Sequence, residues 1–301
     1  MIEADIVAAI ARRLTRELAP PATPLRRFRV GTEVVGALSP ERARRLARFG
    51  EVFSADGDSP VLRETLRSEG ERTAALAAVT RVLAAEAELS GWRDENYAVA
   101  SSFGGAPLFL LERAAARYFG VMTYAVHVNG LVRGRDDGAA LMWLARRSPT
   151  KAIDPSRLDN LVGGGIAAGL SVAATLVKES REEAGIPATQ ARAAASSGAV
   201  HVHRAEADGL QRETIFVHDL WLPPGFAPSP EDGEVVEHRL VPLVEAARLI
   251  TLAEGPDVVT AEASLVIVDC LMRLGTIGAD TPGFLALDAL RHTPLAIASP
   301  R

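Results

Sequence analysis

The chain has 301 residues, of which 48% are hydrophobic and 24% are charged, and its formal net charge is -5. This apolar fraction suffices for a packed core and excludes wholesale disorder, while the length corresponds to about two domains. A sequence pI near 5.8 gives no basic footprint for nucleic acid, so we expect no nucleic-acid partner.

The first residues and the single cysteine bear on location and redox chemistry. The chain begins Met1-Ile2-Glu3-Ala4-Asp5, which is acidic where a signal peptide is basic. No apolar run approaches the ~18 residues that a membrane-spanning helix needs. Cys270 lies in an apolar run, so we expect a buried structural thiol rather than a nucleophile. The sequence therefore predicts a cytoplasmic protein that does not enter the membrane.

The first part of the chain combines helices with short extended runs. Apolar residues at a spacing of four predict the first helix, and Ser39-Pro40 supplies an N-cap and a first helical position for the second. In chain order, we predict helix 4–18, strand 28–35, a helix from Ser39-Pro40, helix 71–89, strand 96–101 and helix 112–118. The composition changes near residue 120, so residues 1–119 are predicted to form a smaller α+β domain.

From residue 120 to residue 301 the pattern is typical of an α/β domain with a helical C-terminal tail. Alternating side chains predict a strand near 123–129, a turn at 133–138 and a strand at 141–144. In chain order there follow a loop at 146–160, a glycine cluster at 163–165, a helix at 171–184, strands at 199–203, 214–222 and 234–243, and a helical tail at 243–273.

The stretch with a chemical signature is the glycine cluster and the helix after it. Glu179, Glu182 and Glu183 stand at i, i+3 and i+4, so they share one narrow helix face. Like charges at this spacing destabilise a helix by a few tenths of a kcal/mol. Carboxylate oxygens are preferred ligands of Mg²⁺ and Mn²⁺, so a divalent cation would compensate this charge.

The same stretch resembles the Nudix box, G-x5-E-x7-R-E-U-x-E-E-x-G-U, where U is a bulky aliphatic residue. The matching positions are Gly164, Glu179, Glu182, Glu183, Gly185 and Ile186. Three positions depart from the pattern: Lys178 replaces the arginine, Ser180 replaces an aliphatic residue and Leu170 replaces the first glutamate. Segments 91–95, 112–130, 146–151 and 158–164 are similar to one Nudix subgroup, the proteins related to thiamine pyrophosphokinase.

The resemblance implies an α/β/α sandwich with a mixed sheet, preceded by the smaller α+β domain. It further implies hydrolysis of a diphosphate with Mg²⁺ or Mn²⁺, in which metal-bound water supplies hydroxide. The implied metal ligands are Gly164, Glu179, Glu182 and Glu183, with Glu179 and Glu182 also catalytic. Lys178 is expected to orient Glu182, and Arg146, Arg147 and Lys151 to bind substrate phosphate. For the general base, Glu234 is favoured and Glu237 is second.

The subgroup implies thiamine diphosphate, or its oxidised and damaged analogues, as the small-molecule substrate, cleaved to the monophosphate and phosphate. Two alternatives stay open on the sequence. One is a pyrophosphatase for a nucleotide sugar or a dinucleotide. The other is a catalytically idle Nudix-like domain that binds a ligand, which Leu170 favours and the three glutamates oppose. A homodimer is also left open.

Overall fold

The computed structural model of the protein describes residues 1–134 and 139–294. Its N-terminal part contains short strands, three longer helices and one short one. These elements are α1 (Ala4–Glu17), β1 (Arg26–Val30), β2 (Glu33–Leu38), α2 (Pro40–Leu46), β3 (Phe53–Asp56), β4 (Ser59–Leu62), α3 (Glu69–Ala85), β5 (Asn96–Val99), β6 (Phe109–Glu112) and, after one turn of 3-10 helix, α4 (Ala116–Phe119).

Aromatic packing holds the N-terminal elements together. Strands β1 to β4 form one sheet in the order β2-β1-β4-β3, and β5 and β6 form a separate antiparallel hairpin. The Phe28 ring of β1 lies 6.0, 5.9 and 5.4 Å, between centroids, from the rings of Phe53, Phe109 and Phe119. Because these rings come from the sheet, the hairpin and α4, one buried cluster fixes the hairpin against the sheet.

The C-terminal part is built around one large sheet. Its elements are β7 (Met122–Arg133), β8 (Ala140–Arg147), β9 (Leu158–Asn160), β10 (Val162–Gly165), α5 (Val172–Ala184), α6 (Ala188–Ala191), β11 (Ala195–Glu206), β12 (Gly209–Leu222), β13 (Val235–Pro242), α7 (Leu243–Ile250), α8 (Ala261–Arg273) and α9 (Phe284–Arg291). The strand order is β11-β12-β7-β8-β13, with β10 paired to β7 and β9 to β8. Only the β7–β12 pair is parallel among these described strands, so the sheet is mixed, as predicted.

Helices cover both faces of this sheet, which confirms the predicted α/β/α sandwich. On one face, Leu176 of α5 packs with Val126 and Val128 of β7. On the other face, the apolar sides of α7, α8 and α9 form the largest buried cluster with Ile215 and Val217 of β12. The sheet therefore supplies a rigid floor whose strand ends and edges are available to a site.

Helix α1 belongs to the C-terminal core by its packing. Its apolar stripe, which includes Ile10 and Leu14, is buried in the same cluster as α7, α8 and α9. The buried Arg13 guanidinium donates to the carbonyl of Ile250 at 2.6 Å and also to that of Val259. A domain boundary between residues 119 and 120 would therefore separate α1 from the helices that bury it. Those helices, α7, α8 and α9, lie far from α1 in the sequence.

Several other predicted elements differ from those in the structure. The glycine cluster forms strand β10, with Gly163 opposite His127 and Gly165 opposite Ala125, and the end of the predicted loop at 146–160 forms strand β9. The helical tail is two helices, α7 and α8, separated by residues 251–260. In the predicted turn at 133–138, residues 135–138 lie outside the described residues. No helix in the described ranges has the length and apolar character needed to cross a membrane.

Replacing Arg13 by Met should lower the free energy of unfolding by about 3 kcal/mol, because two buried carbonyls lose their charged donor. Urea denaturation measures this loss. Arg16→Met is the matched control, since Arg16 is exposed on the same helix. Equal, small losses in both variants would contradict the structural role given to Arg13.

Candidate active site

A cavity of about 640 Å³ lies between the N-terminal hairpin and the large sheet. Its walls come from the β5–β6 hairpin with the following helical turns, from strands β7, β10 and β12, from α5 and from the beginning of α8. Residues 147–154 and 232–234 close its rim. The cavity therefore collects polar side chains from both parts of the chain.

The three glycines of β10 let other groups approach the backbone closely. A Cβ atom on Gly164 would lie 2.7 Å from Glu179 Oε2, and one on Gly163 would lie 3.0 Å from His127 Cε1. A Cβ on Gly165 would overlap the hydroxyl of Tyr97. Glycine is therefore needed at each position, because the His127 ring, the Glu179 carboxylate or the Tyr97 phenol occupies the space that a side chain would fill.

Helix α5 carries the acidic residues, and its ends are set by local signals. The Ala174 amide donates to Ser171 Oγ at 3.1 Å, which caps the first turn, and Gly185 ends the helix with φ of 64°. Glu183 Oε2 accepts from the Gly163 amide at 2.8 Å, so the helix is bonded directly to β10. Leu170, at the position of the missing first glutamate, is exposed just before the helix.

Lys178 lies between two of the three glutamates. Its Nζ is 3.0 Å from Glu179 Oε1 and 2.7 Å from Glu182 Oε2. Burial lowers the pKa of Lys178, but the hydrogen bonds to Glu182 and Glu179 outweigh it and hold that pKa above its ordinary value. Burial raises the pKa of Glu179, and the bond to Lys178 opposes this shift. The predicted contact between Lys178 and Glu182 is therefore present.

Lys151 provides a second ammonium group at the same end of the cavity. It contacts Glu234, and its Nζ lies 3.9 Å from Glu183 Oε1. Burial raises the pKa of the Glu183 carboxyl and lowers that of Lys151, while their mutual attraction opposes both shifts. Arg93, from the N-terminal part, also reaches Glu234, with Nη1 at 3.4 Å from Oε1. Glu234 is thus held by cations from both parts of the chain.

The segment before β13 is anchored on α5, which explains the position of Glu234. The Ser229 amide donates to the Ala184 carbonyl at 3.1 Å, and the Glu231 amide donates to the Glu182 carbonyl at 2.7 Å. The Ser148 amide donates to the Glu234 carbonyl at 2.8 Å. These backbone bonds bring Asp232 and Glu234 to the rim of the cavity.

The structure separates two predicted site residues from this cavity, Arg146 and Glu237. Arg146 Nε donates to Glu237 Oε2 at 2.5 Å, and its Nη2 donates to Asp257 at 2.6 Å. Successive strand residues point to opposite faces, so Arg147 lines the cavity and Arg146 does not. The expectation that Arg146 binds substrate and that Glu237 is a second base is therefore corrected.

Arg147 lines the cavity but already has protein partners. Its Nη1 donates to Asp159 Oδ2 at 2.8 Å, and its Nη2 donates to the Ile153 carbonyl at 2.9 Å. Burial lowers the pKa of Arg147, and the nearby Asp159 carboxylate more than compensates, so the net shift is upward. The guanidinium thus fixes the 147–154 segment on the rim.

Sequence reasoning missed His127 and the hydrogen-bond chain behind it. His127 Nδ1 lies 2.8 Å from Asn160 Oδ1, Asn160 Nδ2 donates to Asn129 Oδ1 at 3.1 Å, and Asn129 Nδ2 donates to Asp219 Oδ1 at 3.0 Å. Because the Asp219 carboxylate only accepts, it fixes the direction of both amides, and His127 Nδ1–H is the donor. The alternation of Ala125, His127 and Asn129 along the strand was the available signal.

Arg113 and Glu213 were also missed, and together with Tyr97 they line the cavity. Burial raises the pKa of the Tyr97 phenol. The Arg113 guanidinium carbon stands 5.7 Å from the centre of the Tyr97 ring, and its Nη1 lies 2.7 Å from Glu95 Oε2. No local pattern marks these residues, since three separate segments bring them together.

The donor atoms near α5 suit a hard divalent cation, although their side chains do not yet converge on one point. Carboxylates of Glu179, Glu182 and Glu183 and the backbone of Gly164 supply oxygen, which Mg²⁺ and Mn²⁺ prefer. In residues 1–134 and 139–294, no three His, Cys, Asp or Glu side chains are arranged to hold a metal. The Lys178 ammonium lies between Glu179 and Glu182 instead.

Two family profiles together match most of the chain. The profile described as a domain of unknown function (DUF4743) matches residues 8–123, and the profile described as the NUDIX domain matches residues 123–263. The N-terminal part that closes the cavity and the part that carries α5 thus fall under separate profiles.

Two curated relatives and one solved structure are similar to parts of this chain. Nudix hydrolase 24, chloroplastic, from Arabidopsis thaliana is 37% identical over 262 residues, which cover 86% of this chain and 70% of that protein. Nudix hydrolase 20, chloroplastic, from the same plant is 37% identical over 269 residues, with coverages of 86% and 71%. The NUDIX domain of Shewanella oneidensis NrtR, complexed with ADP ribose, has a TM-score of 0.40 and 14% identity, covering 52% of this chain and 90% of that one.

Replacing Gly165 by Ala should lower the free energy of unfolding by about 1–3 kcal/mol, because the new methyl group meets the Tyr97 hydroxyl. Combining it with Tyr97→Phe should recover about 1 kcal/mol of this loss. Thermal or urea unfolding of the two single variants and the double variant measures this coupling. Strictly additive losses would show that the two groups do not touch.

Proposed function

The chain belongs to the Nudix hydrolase family, and from this premise we propose that it hydrolyses thiamine diphosphate or its oxidised analogues with Mg²⁺ or Mn²⁺. The observation that carries the hydrolytic part is the position of Glu179 and Glu182 on the cavity side of α5, beside Gly164. The thiamine part rests on the subgroup resemblance of segments 91–95, 112–130, 146–151 and 158–164.

Glu179, Glu182 and Glu183, with the Gly164 carbonyl, are the residues we propose to hold the metal. A bound Mg²⁺ or Mn²⁺ supplies charge neutralisation for the diphosphate and a water of lowered pKa. Glu183 Oε2 accepts a hydrogen bond from the Gly163 amide, so this oxygen is held in place. The other oxygen, Oε1, faces Lys151. This bond orients the acidic face of α5 toward β10 before any ligand binds.

The two lysines are proposed to balance charge at this end of the cavity. Lys178 holds Glu179 and Glu182 against their mutual repulsion, and these two carboxylates would hold a divalent cation in place of its ammonium group. Lys151 lies near Glu183 and Glu234 and is our candidate for binding a phosphate oxygen. Arg147 supports the same rim through Asp159.

Glu234 is proposed as the general base because it stands at the cavity rim. Its carboxylate contacts Lys151 and Arg93, which hold it at the rim of the cavity. A phosphate oxygen that engages Lys151 would free Glu234 to accept a proton from the attacking water. Substrate binding and activation of the base would then be linked through one ammonium group.

Changing Glu182 to Gln should lower kcat/KM by about 100-fold or more, because it removes a carboxylate proposed to hold the metal. The rate of phosphate release in Mg²⁺ measures the effect. Glu245→Gln, on the outer side of α7, is the control and should keep the wild-type rate. A wild-type rate of turnover by Glu182→Gln would contradict the proposed metal site.

The substrate is tested by turnover of thiamine diphosphate, its oxidised analogues, ADP-ribose, NADH and nucleoside triphosphates in Mg²⁺. We expect the highest kcat/KM for the thiamine group. Equal or better turnover of ADP-ribose, NADH or a triphosphate would favour a nucleotide pyrophosphatase and contradict the thiamine assignment. No turnover of any diphosphate would favour the ligand-binding alternative, which Leu170 leaves open.

A further inference from the structure

Glu213 is a carboxylate at the far floor of the cavity that the proposed hydrolytic machinery does not use. It lies on β12 opposite Thr123 of β7, and both side chains line the cavity with Gln211. The residue is half-buried. Burial raises the pKa of its carboxyl, with the nearby Glu262 acting in the same direction.

The immediate partners of this carboxylate are neutral. In the described part of the chain, Thr123 Oγ1 lies 3.2 Å from Glu213 Oε1, and Gln211 Nε2 donates to Oε2 at 3.1 Å. The neighbouring carboxylates of Glu206 and Glu262, in contrast, lie 2.5 and 3.2 Å from Arg204 Nη2. Glu213 is therefore the carboxylate of this group whose hydrogen bonds, among the described residues, come from a hydroxyl and an amide.

The cations nearest to Glu213 are committed elsewhere. Arg117 Nη2 donates to Gln211 Oε1 at 3.0 Å, and Arg113 Nη1 donates to Glu95 Oε2 at 2.7 Å. His127 also faces this region, but its Nδ1 is bonded to Asn160. Capacity to accept a further hydrogen bond thus remains on Glu213, at a place where burying an uncompensated carboxylate is costly.

The distance between Glu213 and the acidic helix matches an organic group attached to a diphosphate. Gly164 is opposite Val126 on β7, and Glu213 is opposite Thr123, which is three residues away. With about 3.3 Å per residue along the strands and two strand spacings of about 4.8 Å across β7, the two backbone positions are roughly 14 Å apart. Tyr97, packed on Gly165, forms the wall between the two positions. A substrate with its diphosphate at α5 can therefore place one or two rings against Tyr97 and reach Glu213.

We propose that Glu213 is a specificity-determining residue that accepts a hydrogen bond from an N–H group on the organic half of the substrate. This inference rests on the proposed function only in placing the diphosphate at α5. The substrate class it selects is the diphosphates of nitrogen heteroaromatic alcohols that carry an amino or ring N–H donor. An analogue without such a donor covers the carboxylate without adding a hydrogen bond to those from Thr123 and Gln211, and it is rejected for that reason.

The test compares wild type and Glu213→Gln with two diphosphates in Mg²⁺. Thiamine diphosphate carries N–H donors on its organic half, and isopentenyl diphosphate carries none. The glutamine amide oxygen can accept from Gln211 Nε2 while its NH2 group donates to the Thr123 hydroxyl, so both contacts and the fold are kept. The ratio of kcat/KM for thiamine diphosphate to that for isopentenyl diphosphate should fall at least about tenfold, mainly through KM. Glu245→Gln is the control and should leave the ratio unchanged.

A second arm measures binding of thiamine itself by calorimetry, without metal. Wild type should bind it at least about tenfold more tightly than Glu213→Gln does. An unchanged kcat/KM ratio in Glu213→Gln would overturn the inference. If wild type hydrolyses no diphosphate, the proposed function fails and the binding arm alone decides. Tighter binding by wild type then supports the role of Glu213, and no difference between the two proteins overturns it.

Discussion

The site depends on the direct contact between helix α5 and the glycine strand β10. Glu183 accepts from the Gly163 amide, and Glu179 lies where a side chain on Gly164 would be. The contact requires a strand without side chains and a helix whose acidic face turns toward the sheet. It also places three carboxylates near one another, so compensating cations are needed, and Lys151 and Lys178 supply them in the described structure. These are the only two lysines in the sequence.

The N-terminal part covers the region beside the contact between α5 and β10, so that a cavity forms there. The β5–β6 hairpin is fixed by the Phe28 aromatic cluster and brings Tyr97 and Arg113 over the sheet. Arg93 reaches Glu234 from the same side, so both parts of the chain hold the rim. Helix α1 packs with α7, α8 and α9 against Ile215 and Val217 of β12, farther along the strand that carries Glu213. The two parts are therefore joined at the cavity and again at this buried cluster.

Local signals predicted the elements that are defined within a few residues. Ser171 and Gly185 bound α5, Ser39 caps α2, and the spacing of Glu179, Glu182 and Glu183 placed them on one face. What could not be predicted depends on pairing between distant segments. Arg146 and Arg147 look equivalent as neighbours in sequence. In the sheet, however, Arg147 lines the cavity, whereas Arg146 donates to Asp257.

The remaining site residues show the same limit. A β-bulge between Val235 and Glu237 and the pairing of Glu237 with Arg146 separate that glutamate from Glu234. Tyr97 and Glu213 line the same cavity only because the β5–β6 hairpin packs on the sheet, and no short sequence motif indicates this packing. Cys270, by contrast, lies fully buried in α8 as expected from its apolar neighbours, and burial raises the pKa of its thiol to about 12.

The central claim is that the cavity-facing carboxylates of α5 form a divalent-metal site. Titration with Mn²⁺, followed by electron paramagnetic resonance, tests it without reference to any substrate. The account predicts that Glu182→Gln weakens Mn²⁺ binding at least about tenfold, whereas Glu237→Gln binds as wild type does because Arg146 holds that residue outside the cavity. Equal affinity in wild type and Glu182→Gln, or an equal loss in both variants, would contradict it.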